Sequence, residues 1–467
     1  MKKFERIIEY LFYLFIFLLP WQTRLIWQDA YLNGFVWEYG RFSLYGTQLL
    51  LWLILFCYLV WLFTSRHLEK LNFQQVLRRL KNLSVFTYWL IIVFILVSGL
   101  SLFWSLNTDL AYYRWFILVQ AITMMAMVLM FDFKLEKIAV AWVAAAAIQG
   151  VFGIWQFFAQ FVPANKWFGL ALHLPTVPGS IILQTNVERW LRAYGALPHP
   201  NILGGFLVIA VMFLLYLSFI AQRRSQRIFV LVSLLSIIPA LFFTFSRSAW
   251  IAIIVSLIVL GFWLFKRREH LWNQTFLKMF LLTCLMVIIL GFNLRGPLLT
   301  RLTGDQDLEV ASIYLRMAFT EQAFKLIQDN PWGGVGIGNY TLGVYQKING
   351  SWPGYYYQPV HNIYLLVLAE TGILGAIIFY SIIFLLIWSR LLKFFYKKVV
   401  GIPTKSGFLL RNKADGATST SHLQGMIVFL CLVSILIISL FDHYFWSLEF
   451  GVLIFWLILG LNLKRLR

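Results

Sequence analysis

Residues 138–161 read IAVAWVAAAAIQGVFGIWQFFAQF and contain no charged side chain. A helix needs about 20 mainly apolar residues to cross the hydrocarbon core of a bilayer, so this run predicts a transmembrane helix. Similar runs recur along the chain, for example at 50–63, 85–104 and 363–388. The sequence therefore predicts a protein that crosses a membrane several times as helices.

The composition agrees with a lipid environment. Of the 467 residues, 61% are hydrophobic and 12% are charged, with a mean hydropathy of +0.77. Soluble domains usually have about 25% charged residues, and the recurring apolar runs leave no room for a large soluble domain. Because Cys57, Cys284 and Cys431 all fall inside predicted helices, we expect no disulfide in the outer loops.

We predict an all-α polytopic membrane protein with about 12 transmembrane helices, forming a single integral membrane domain over 1–467. The N-terminal apolar stretch follows Lys2, Lys3 and Arg6 as in a secretory signal, but Pro20-Trp21-Gln22 stands where a small-residue cleavage site would be. We therefore expect it to be retained as the first span. The predicted spans are 7–21, 44–64, 83–104, 113–131, 138–162, 202–220, 228–245, 249–265, 279–294, 361–389, 425–441 and 447–463.

The basic residues are distributed unequally between the two sets of loops. One set holds 27 of the 39 Lys and Arg, which by the positive-inside rule makes it cytoplasmic, with both termini inside. The net charge of +20 thus reflects topology and attraction to anionic membrane lipid, and we expect no nucleic-acid partner. The basic set comprises the N-terminus, 65–82, 132–137, 221–227, 266–278, 390–424 and the C-terminus.

Two outward segments are long enough to hold chemistry, 163–201 and the larger 295–360 between the ninth and tenth spans. The inward segment 390–424 is predicted to be a basic flexible loop without a catalytic role. In the larger outward loop, apolar residues at spacings of three and four predict an amphipathic helix on the membrane surface, ending at Asp329-Asn330-Pro331. Its apolar face comprises Ile313, Met317, Thr320, Phe324 and Ile327.

Two motifs imitate ligand sites. The glycines at 334, 336 and 338 resemble a nucleotide-binding loop but follow a helix rather than a strand, so we interpret them as turns that permit close packing. Asp305-Gln306-Asp307 resembles a metal-binding carboxylate pair, although acidic residues in an exposed loop are usually solvated. The outward histidines share no metal-ligand spacing, and we predict neither metal nor cofactor. They are His173, His199, His361 and His443.

His361 lies where the large loop re-enters the membrane and could be a helix cap or a general base tuned near neutral pH. Arg192, Arg247 and Arg316 lie on the outer side, where basic residues are scarce. Their guanidinium groups could snorkel to lipid headgroups or bind pyrophosphate oxygens in bidentate fashion.

Acidic residues near the membrane give a weaker signal. Glu370 in the tenth span would lie roughly 13 Å from His361 on the opposite face of a straight helix, which excludes a catalytic pair. We expect Glu370 to take part in helix packing or to form a hydrogen bond in its protonated form. Asp442 and His443 could orient the site or cap the turn.

Several segments together indicate a family. The strongest is HNIYLLVLAETGILG at 361–375, preceded by NPWGGVGIGNY at 330–340. From about Arg192 to Gly460 the chain resembles the O-antigen ligase and polymerase superfamily. The supporting segments are Arg192-Ala193-Tyr194-Gly195, His199-Pro200-Asn201, Phe245-Ser246-Arg247-Ser248-Ala249, Arg316 and Asp442-His443-Tyr444.

The resemblance implies a GT-C-like, metal-independent inverting glycosyltransferase of the bacterial inner membrane. Such enzymes move a glycan from undecaprenyl pyrophosphate to an acceptor hydroxyl at the periplasmic face, the acceptor being lipid A-core, a growing glycan or a protein. It also implies that His361 is the base and that Arg247 and Arg316 hold the pyrophosphate. We expect His361 and Arg316 to be catalytic. The expected substrate-binding residues are Arg247, Arg192, His199, Asn201, Asn362 and Asp442.

The sequence departs from both main subclasses. Ligases often carry a threonine pair where this chain has Gly375-Ala376, and polymerases often carry an arginine followed ten residues later by glycine, a spacing that the outer arginines lack. A ligase is therefore one hypothesis, with a polysaccharide polymerase or a protein O-oligosaccharyltransferase as alternatives. A hypothesis of another class is a lipid-linked glycan flippase without chemistry, which should line a path across the bilayer with polar residues.

Overall fold

The computed structural model describes residues 2–64, 83–185, 187–267, 270–396 and 411–466. This part of the chain is mainly helical, as predicted. The helices are α1 Lys2–Leu18, α2 Gly46–Thr64, α3 Leu83–Leu100, α4 Thr108–Met130, α5 Leu135–Ala159, α6 Pro200–Ile220, α7 Arg224–Phe243, α8 Arg247–Arg267, α9 His270–Asn293, α10 Arg295–Thr303, α11 Asp307–Asp329, α12 Tyr340–Lys347, α13 Ile363–Tyr396, α14 Arg411–Ile438, α15 Tyr444–Ser447 and α16 Glu449–Leu466.

Ten helices of the described residues are long and apolar enough to cross a membrane, namely those in α2 to α9, α13 and α14. The prediction of a multi-pass, mainly helical membrane protein is confirmed. The first and last predicted spans correspond to α1, which has 17 residues, and to α16, which includes Glu449 and Lys464. The total of twelve spans, and which side of the membrane each loop faces, stay predictions.

Short strands occur between the helices, as three antiparallel pairs in the described residues. In the segment between α1 and α2, which we predicted only as a connecting loop, two such pairs form. The pairs are β1 Arg24–Gln28 with β4 Phe42–Tyr45, β2 Tyr31–Leu32 with β3 Phe35–Val36, and β5 Ile182–Gln184 with β6 Arg189–Leu191.

The connecting segments 22–45, 163–199 and 295–362 meet at one end of the bundle, called here the loop end. The Thr23 hydroxyl donates a hydrogen bond to the Trp167 carbonyl. The Asn33 amide donates to the carbonyls of Gly350 and Trp352, both at 2.7 Å. These contacts agree with the prediction that the three segments share a side of the membrane.

Helix α6 forms the centre of the bundle. Nearly all its side chains are buried, and it packs against α5, α7, α8 and α14. By contrast, none of the residues of α9 is buried. An apolar helix with this exposure is suited to contact with lipid. The buried helix α6 therefore lies at the centre of the bundle. Helix α9 lies at its periphery and is followed by α10 and α11.

Helix α13 is interrupted at Gly372, which has φ 65° and ψ −174°. The carbonyls of Ala369 and Glu370 instead accept hydrogen bonds from the N–H groups of Val335 and Gly336, at 2.9 and 3.0 Å. A side chain at residue 372 would overlap the carbonyl of Trp332. The glycines before α12 thus form turns that pack against the break, as we interpreted them.

Glu370 lies in α13 before this break. The helix begins at Ile363, so His361 precedes it rather than belonging to it. Glu370 is buried and accepts a hydrogen bond from Trp446 Nε1 at 2.8 Å. It therefore joins α13 to α15, in agreement with the packing role we expected.

The predicted basic loop 390–424 is shorter in the structure. Helix α13 continues to Tyr396 and α14 begins at Arg411, so both ends of the predicted loop are helical. Helices can extend beyond the apolar span because backbone hydrogen bonds do not depend on the polarity of the side chains. The central part, 397–410, lies outside the described residues.

Candidate active site

The eight predicted site residues all lie at the loop end, although they come from distant parts of the sequence. Arg192 follows β6, and the pair His199 and Asn201 begins α6. Arg247 begins α8, and Arg316 lies in α11. His361 and Asn362 precede α13, and Asp442 follows α14. The residues surround two connected features, a histidine–aspartate pair and an arginine-lined cavity.

His361 and Asp442 form the first feature. The distance from His361 Nδ1 to Asp442 Oδ1 is 3.5 Å, and 21% of the His361 side chain is exposed. Burial raises the pKa of Asp442, but the nearby His361, with the charges of Arg316 and His199, lowers it to about 2. Asp442 is therefore ionised at neutral pH, which favours a proton on the facing Nδ1 and leaves Nε2 of His361 free to accept one.

Buried polar groups hold Asp442 in place. Its Oδ2 accepts hydrogen bonds from Asn201 Nδ2 at 3.2 Å and from the Ser248 hydroxyl at 3.4 Å. Arg192 in turn donates to Asn201 Oδ1 and to the Thr244 carbonyl, each at 2.6 Å. Because Arg192 is buried and engaged in these bonds, its guanidinium orients Asn201, and we assign it a positioning role.

Two predicted residues cap helices. His199 Nδ1 accepts a hydrogen bond from the Asn201 N–H at 3.0 Å at the start of α6. Asn362 Oδ1 accepts from the Leu365 N–H at 3.0 Å at the start of α13, and its Nδ2 donates to the Leu440 carbonyl at 3.3 Å. The cap of α13 is therefore supplied by Asn362, which leaves the side chain of His361 available for chemistry.

His443 is a second histidine beside the pair. Its ring lies 5.0 Å from the His361 ring, and its Nδ1 lies 2.6 Å from Ser447 Oγ. The Ser447 Oγ also lies 3.1 Å from the His443 carbonyl, so its hydroxyl hydrogen can go to that carbonyl or to Nδ1, according to the tautomer of His443. Burial, together with the charge of His361, lowers the pKa of His443 to about 3. His443 is therefore neutral at pH 7.

The second feature is a cavity of about 690 Å³. Its cationic lining comes from Arg247, Arg301 and Arg316. Arg316 has no carboxylate partner within ion-pair distance among the residues that the structure describes. The other lining residues are Asn201, Ser248, Ile251, Ile313, Met317, Thr320, Glu321, Phe324 and Phe441. The cavity thus combines positive charge with apolar surface.

Helix α11 connects the two features. The predicted helix is present, but its apolar stripe does not pack into the core: Ile313, Met317 and Phe324 are exposed and line the cavity. Another face, which includes Phe319, is buried. The Phe319 ring stacks on the His361 ring at 6.0 Å. Arg316 and His361 are therefore held by the same helix.

Arg301 and Glu309 belong to the site but were not predicted. Glu309 is buried, and its Oε1 lies 2.6 Å from Arg301 NH1, while its Oε2 lies 3.2 Å from Arg247 NH2. Arg301 also donates to the Phe245 carbonyl at 2.7 Å. Their sequence pattern carries little signal, because the pairing depends on the turn between α10 and α11.

A comparison with known families addresses this region. Residues 232–380 match the family model described as O-antigen ligase. This match supports a relationship between the chain and the O-antigen ligase superfamily. No curated protein matches its sequence. The matched stretch covers about a third of the chain, from within α7 to within α13.

The stretch that matches the O-antigen ligase model includes most of the residues that line the cavity, and it includes His361. Arg247, Arg301, Glu309, Arg316 and His361 lie inside 232–380. Asp442, Arg192 and the start of α6 with Asn201 lie outside it. The structure therefore adds to the family match by bringing these outer segments to the same place.

The predicted absence of a metal stays a prediction. Across the described ranges, no group of three or more His, Cys, Asp or Glu residues is placed to hold a metal ion. In the acidic segment, Asp305 accepts a hydrogen bond from the Thr303 hydroxyl at 2.7 Å and Asp307 begins α11.

Replacing Glu309 by Gln is expected to destabilise the candidate site. Arg301 is buried with Glu309, and loss of one partner from a buried ion pair costs about 3–5 kcal/mol. We expect a lower unfolding temperature for the full-length protein in detergent. Asp305→Asn on the same connection, where the carboxylate is exposed, is the matched control. Equal unfolding temperatures for the two variants would contradict this role.

Proposed function

We propose that this protein is a metal-independent inverting glycosyltransferase. It moves an undecaprenyl-pyrophosphate-linked glycan to an acceptor hydroxyl at the periplasmic face of the bacterial inner membrane. The observation that carries the proposal is the cavity in which three arginines and an apolar stripe meet, connected through α11 to the His361–Asp442 pair. The superfamily match supports an enzyme of this type.

The cavity suits a donor with two different parts. A pyrophosphate is anionic, and guanidinium groups bind phosphate oxygens through paired, charge-assisted hydrogen bonds. Arg247 and Arg301 share one carboxylate, Glu309, while Arg316 adds a further positive charge, so the cationic side of the cavity favours an anion. The polyprenyl chain needs apolar surface, which Ile313 and Met317 supply.

The histidine–aspartate pair suits activation of an acceptor. The acceptor hydroxyl would give its proton to Nε2 of His361 as its oxygen forms a bond to the anomeric carbon of the donor. The bond from that carbon to the pyrophosphate oxygen breaks, and the pyrophosphate leaves with the bonding electrons. Asp442 stabilises the imidazolium that forms, and the arginines stabilise the charge on the leaving group.

Attack from the face opposite the pyrophosphate inverts the configuration at the anomeric carbon. Because fixed guanidinium groups meet the charge that develops on the leaving group, the proposed reaction needs no metal. The His443 ring lies 5.0 Å from the His361 ring, so His443 would lie beside an acceptor hydroxyl bound at His361.

The proposal is tested by deleting the gene in the source organism and analysing its lipid-linked glycans. Accumulation of long lipid-linked chains would identify a ligase, and accumulation of single lipid-linked repeat units would identify a polymerase. If only the protein-bound glycan is lost, the protein is a protein O-oligosaccharyltransferase. Purified protein in lipid vesicles that moves lipid-linked glycan between leaflets without forming a covalent product would contradict the proposal in favour of a flippase.

A further inference from the structure

Three exposed aromatic rings form a continuous row at the loop end. Phe35 of β3 contacts Tyr355 edge to face, with ring centroids 5.5 Å apart, and Tyr355 lies 5.1 Å from Tyr356. All three are about half exposed, which is unusual for adjacent aromatic side chains in the same row. We call Phe35, Tyr355 and Tyr356 the aromatic ridge.

The ridge is assembled from two segments more than 300 residues apart and is held rigidly. Asn33, at the tip of the β2–β3 hairpin, donates to the carbonyls of Gly350 and Trp352 at 2.7 Å. At residue 354 only glycine fits, because a side chain there would overlap the carbonyl of Phe35. The rings are therefore preorganised, and a ligand that binds them pays little entropy for ordering them.

The ridge is close to the candidate active site. Tyr356 lies five positions before His361, and an extended chain over five positions spans at most about 18 Å. The segment after the same hairpin also reaches the site, since the Tyr39 ring packs edge to face on His443 at 5.8 Å. A chain molecule lying on the ridge could therefore extend to His361.

The surroundings of the ridge indicate water rather than lipid. In the paired segment β1–β4 and its connections, Arg24 pairs with Glu38 at 2.6 Å, and Arg41 pairs with Asp29 at 2.9 Å. The side chains of Glu38 and Asp29 are nearly half exposed. Exposed ionised carboxylates in the hydrocarbon region are costly, so this hairpin region belongs in water or at the polar interface.

We propose that the aromatic ridge binds the saccharide chain of the acceptor, an inference that rests on the proposed glycosyl transfer. Sugar rings present apolar C–H faces that stack on aromatic rings while their hydroxyl groups stay hydrated. Tyrosine provides such a contact with a large rigid surface and few rotatable bonds. The ridge thus favours a glycan acceptor over a protein acceptor, because the tilted rings of Tyr355 and Tyr356 offer faces on which sugar rings can stack.

The test uses full-length protein in nanodiscs, with saccharides released by mild acid from the cell surface of the source organism as the probe. In saturation-transfer NMR, the sugar C–H protons should receive saturation from the wild-type protein. The double variant Tyr355→Ala/Tyr356→Ala should lose most of this signal. In a transfer assay it should raise the KM for the acceptor at least tenfold, while kcat at saturating acceptor and the KM for the donor stay close to wild type.

Two further variants make the result specific. Trp167→Ala removes an exposed ring of another loop-end segment and should leave the acceptor KM unchanged. Tyr355→Leu/Tyr356→Leu keeps apolar bulk without rings; it should behave like the alanine variant, and it replaces that variant if the latter fails to fold. A leucine variant with wild-type KM would overturn the inference.

The outcomes separate the two proposals. If the wild-type protein forms no glycosylated product from a lipid-linked donor, the proposed function fails. If the wild type forms product and the ridge variants form it with the same acceptor KM, only the ridge inference fails. Ridge variants with a lower unfolding temperature and an unchanged acceptor KM would show that the rings anchor the protein in the membrane interface instead, which also overturns the inference.

Discussion

His361→Ala should lower the rate of glycan transfer by roughly a hundred- to ten-thousand-fold, the range lost when a general base is removed. His361 is the one partly exposed group of the pair, with Asp442 buried behind it. Without the imidazole, no group of the pair can accept the proton from the acceptor hydroxyl, because Asp442 is occupied by Asn201 and Ser248. The measurement is the initial rate with purified protein, a lipid-linked donor and a saturating acceptor.

The kinetic constant that changes distinguishes the role of a general base from a structural role. Loss of a base should lower kcat while the KM for the donor changes little, and added imidazole should restore part of the rate. His173→Ala is the matched control, since His173 is a histidine of another loop-end segment that stacks on Tyr194. Transfer by His361→Ala at the rate of this control would contradict the assignment.

The sequence was informative wherever polarity alone decides position. Apolar runs predicted the membrane helices because burial in lipid excludes charges whatever the tertiary structure. The same rule predicted that His361, Arg247 and Arg316 lie in the outer connections. Connections on one side of a membrane occupy a thin layer, which brings their side chains close to one another. This explains why the predicted site residues lie together even though they come from six separate segments.

The hydrogen-bond and ion-pair partners of the site residues could not be predicted from polarity. Arg192 was expected to bind substrate, but it is buried and holds Asn201, because its position after β6 directs it into the protein. Glu309 and Arg301 pair across a turn whose geometry no local pattern specifies. The periodicity of α11 shows that one of its faces is apolar, but not whether protein, lipid or a ligand covers that face.

The position of the hairpin between α1 and α2 could not be predicted for a related reason. Its Asn33-Gly34 turn is a sequence signal typical of hairpins, but it does not show what the hairpin packs against. The hairpin, however, is stabilised by contacts with residues around 350, and such long-range contacts are invisible to local patterns. That distant contact also creates the aromatic ridge, so neither half of the ridge is recognisable from its own sequence.

Arg316→Ala should reduce transfer by roughly a hundred- to a thousand-fold without destabilising the protein, the scale on which removal of one charge-stabilising donor acts. Among the described residues, Arg316 has no carboxylate within ion-pair distance, so its loss leaves no buried charge without a partner. Arg301 is different, because its removal would leave Glu309 buried beside only Arg247. The Arg316→Ala variant therefore tests the function of the cavity without changing the stability of the protein.

The loss of transfer rate in variants of Arg316 should depend on whether its guanidinium contributes only charge or also paired hydrogen bonds to phosphate oxygens. Arg316→Lys keeps the charge but not the planar pair of donors, so it should recover only part of the rate if both phosphate oxygens are bound at once. Arg189→Ala removes an exposed arginine of β6 and should transfer at the wild-type rate. A full wild-type rate in Arg316→Ala, at subsaturating donor and with the same amount of protein in the membrane, would exclude the cavity as the pyrophosphate site. The leaving group would then have to be stabilised elsewhere on the loop end.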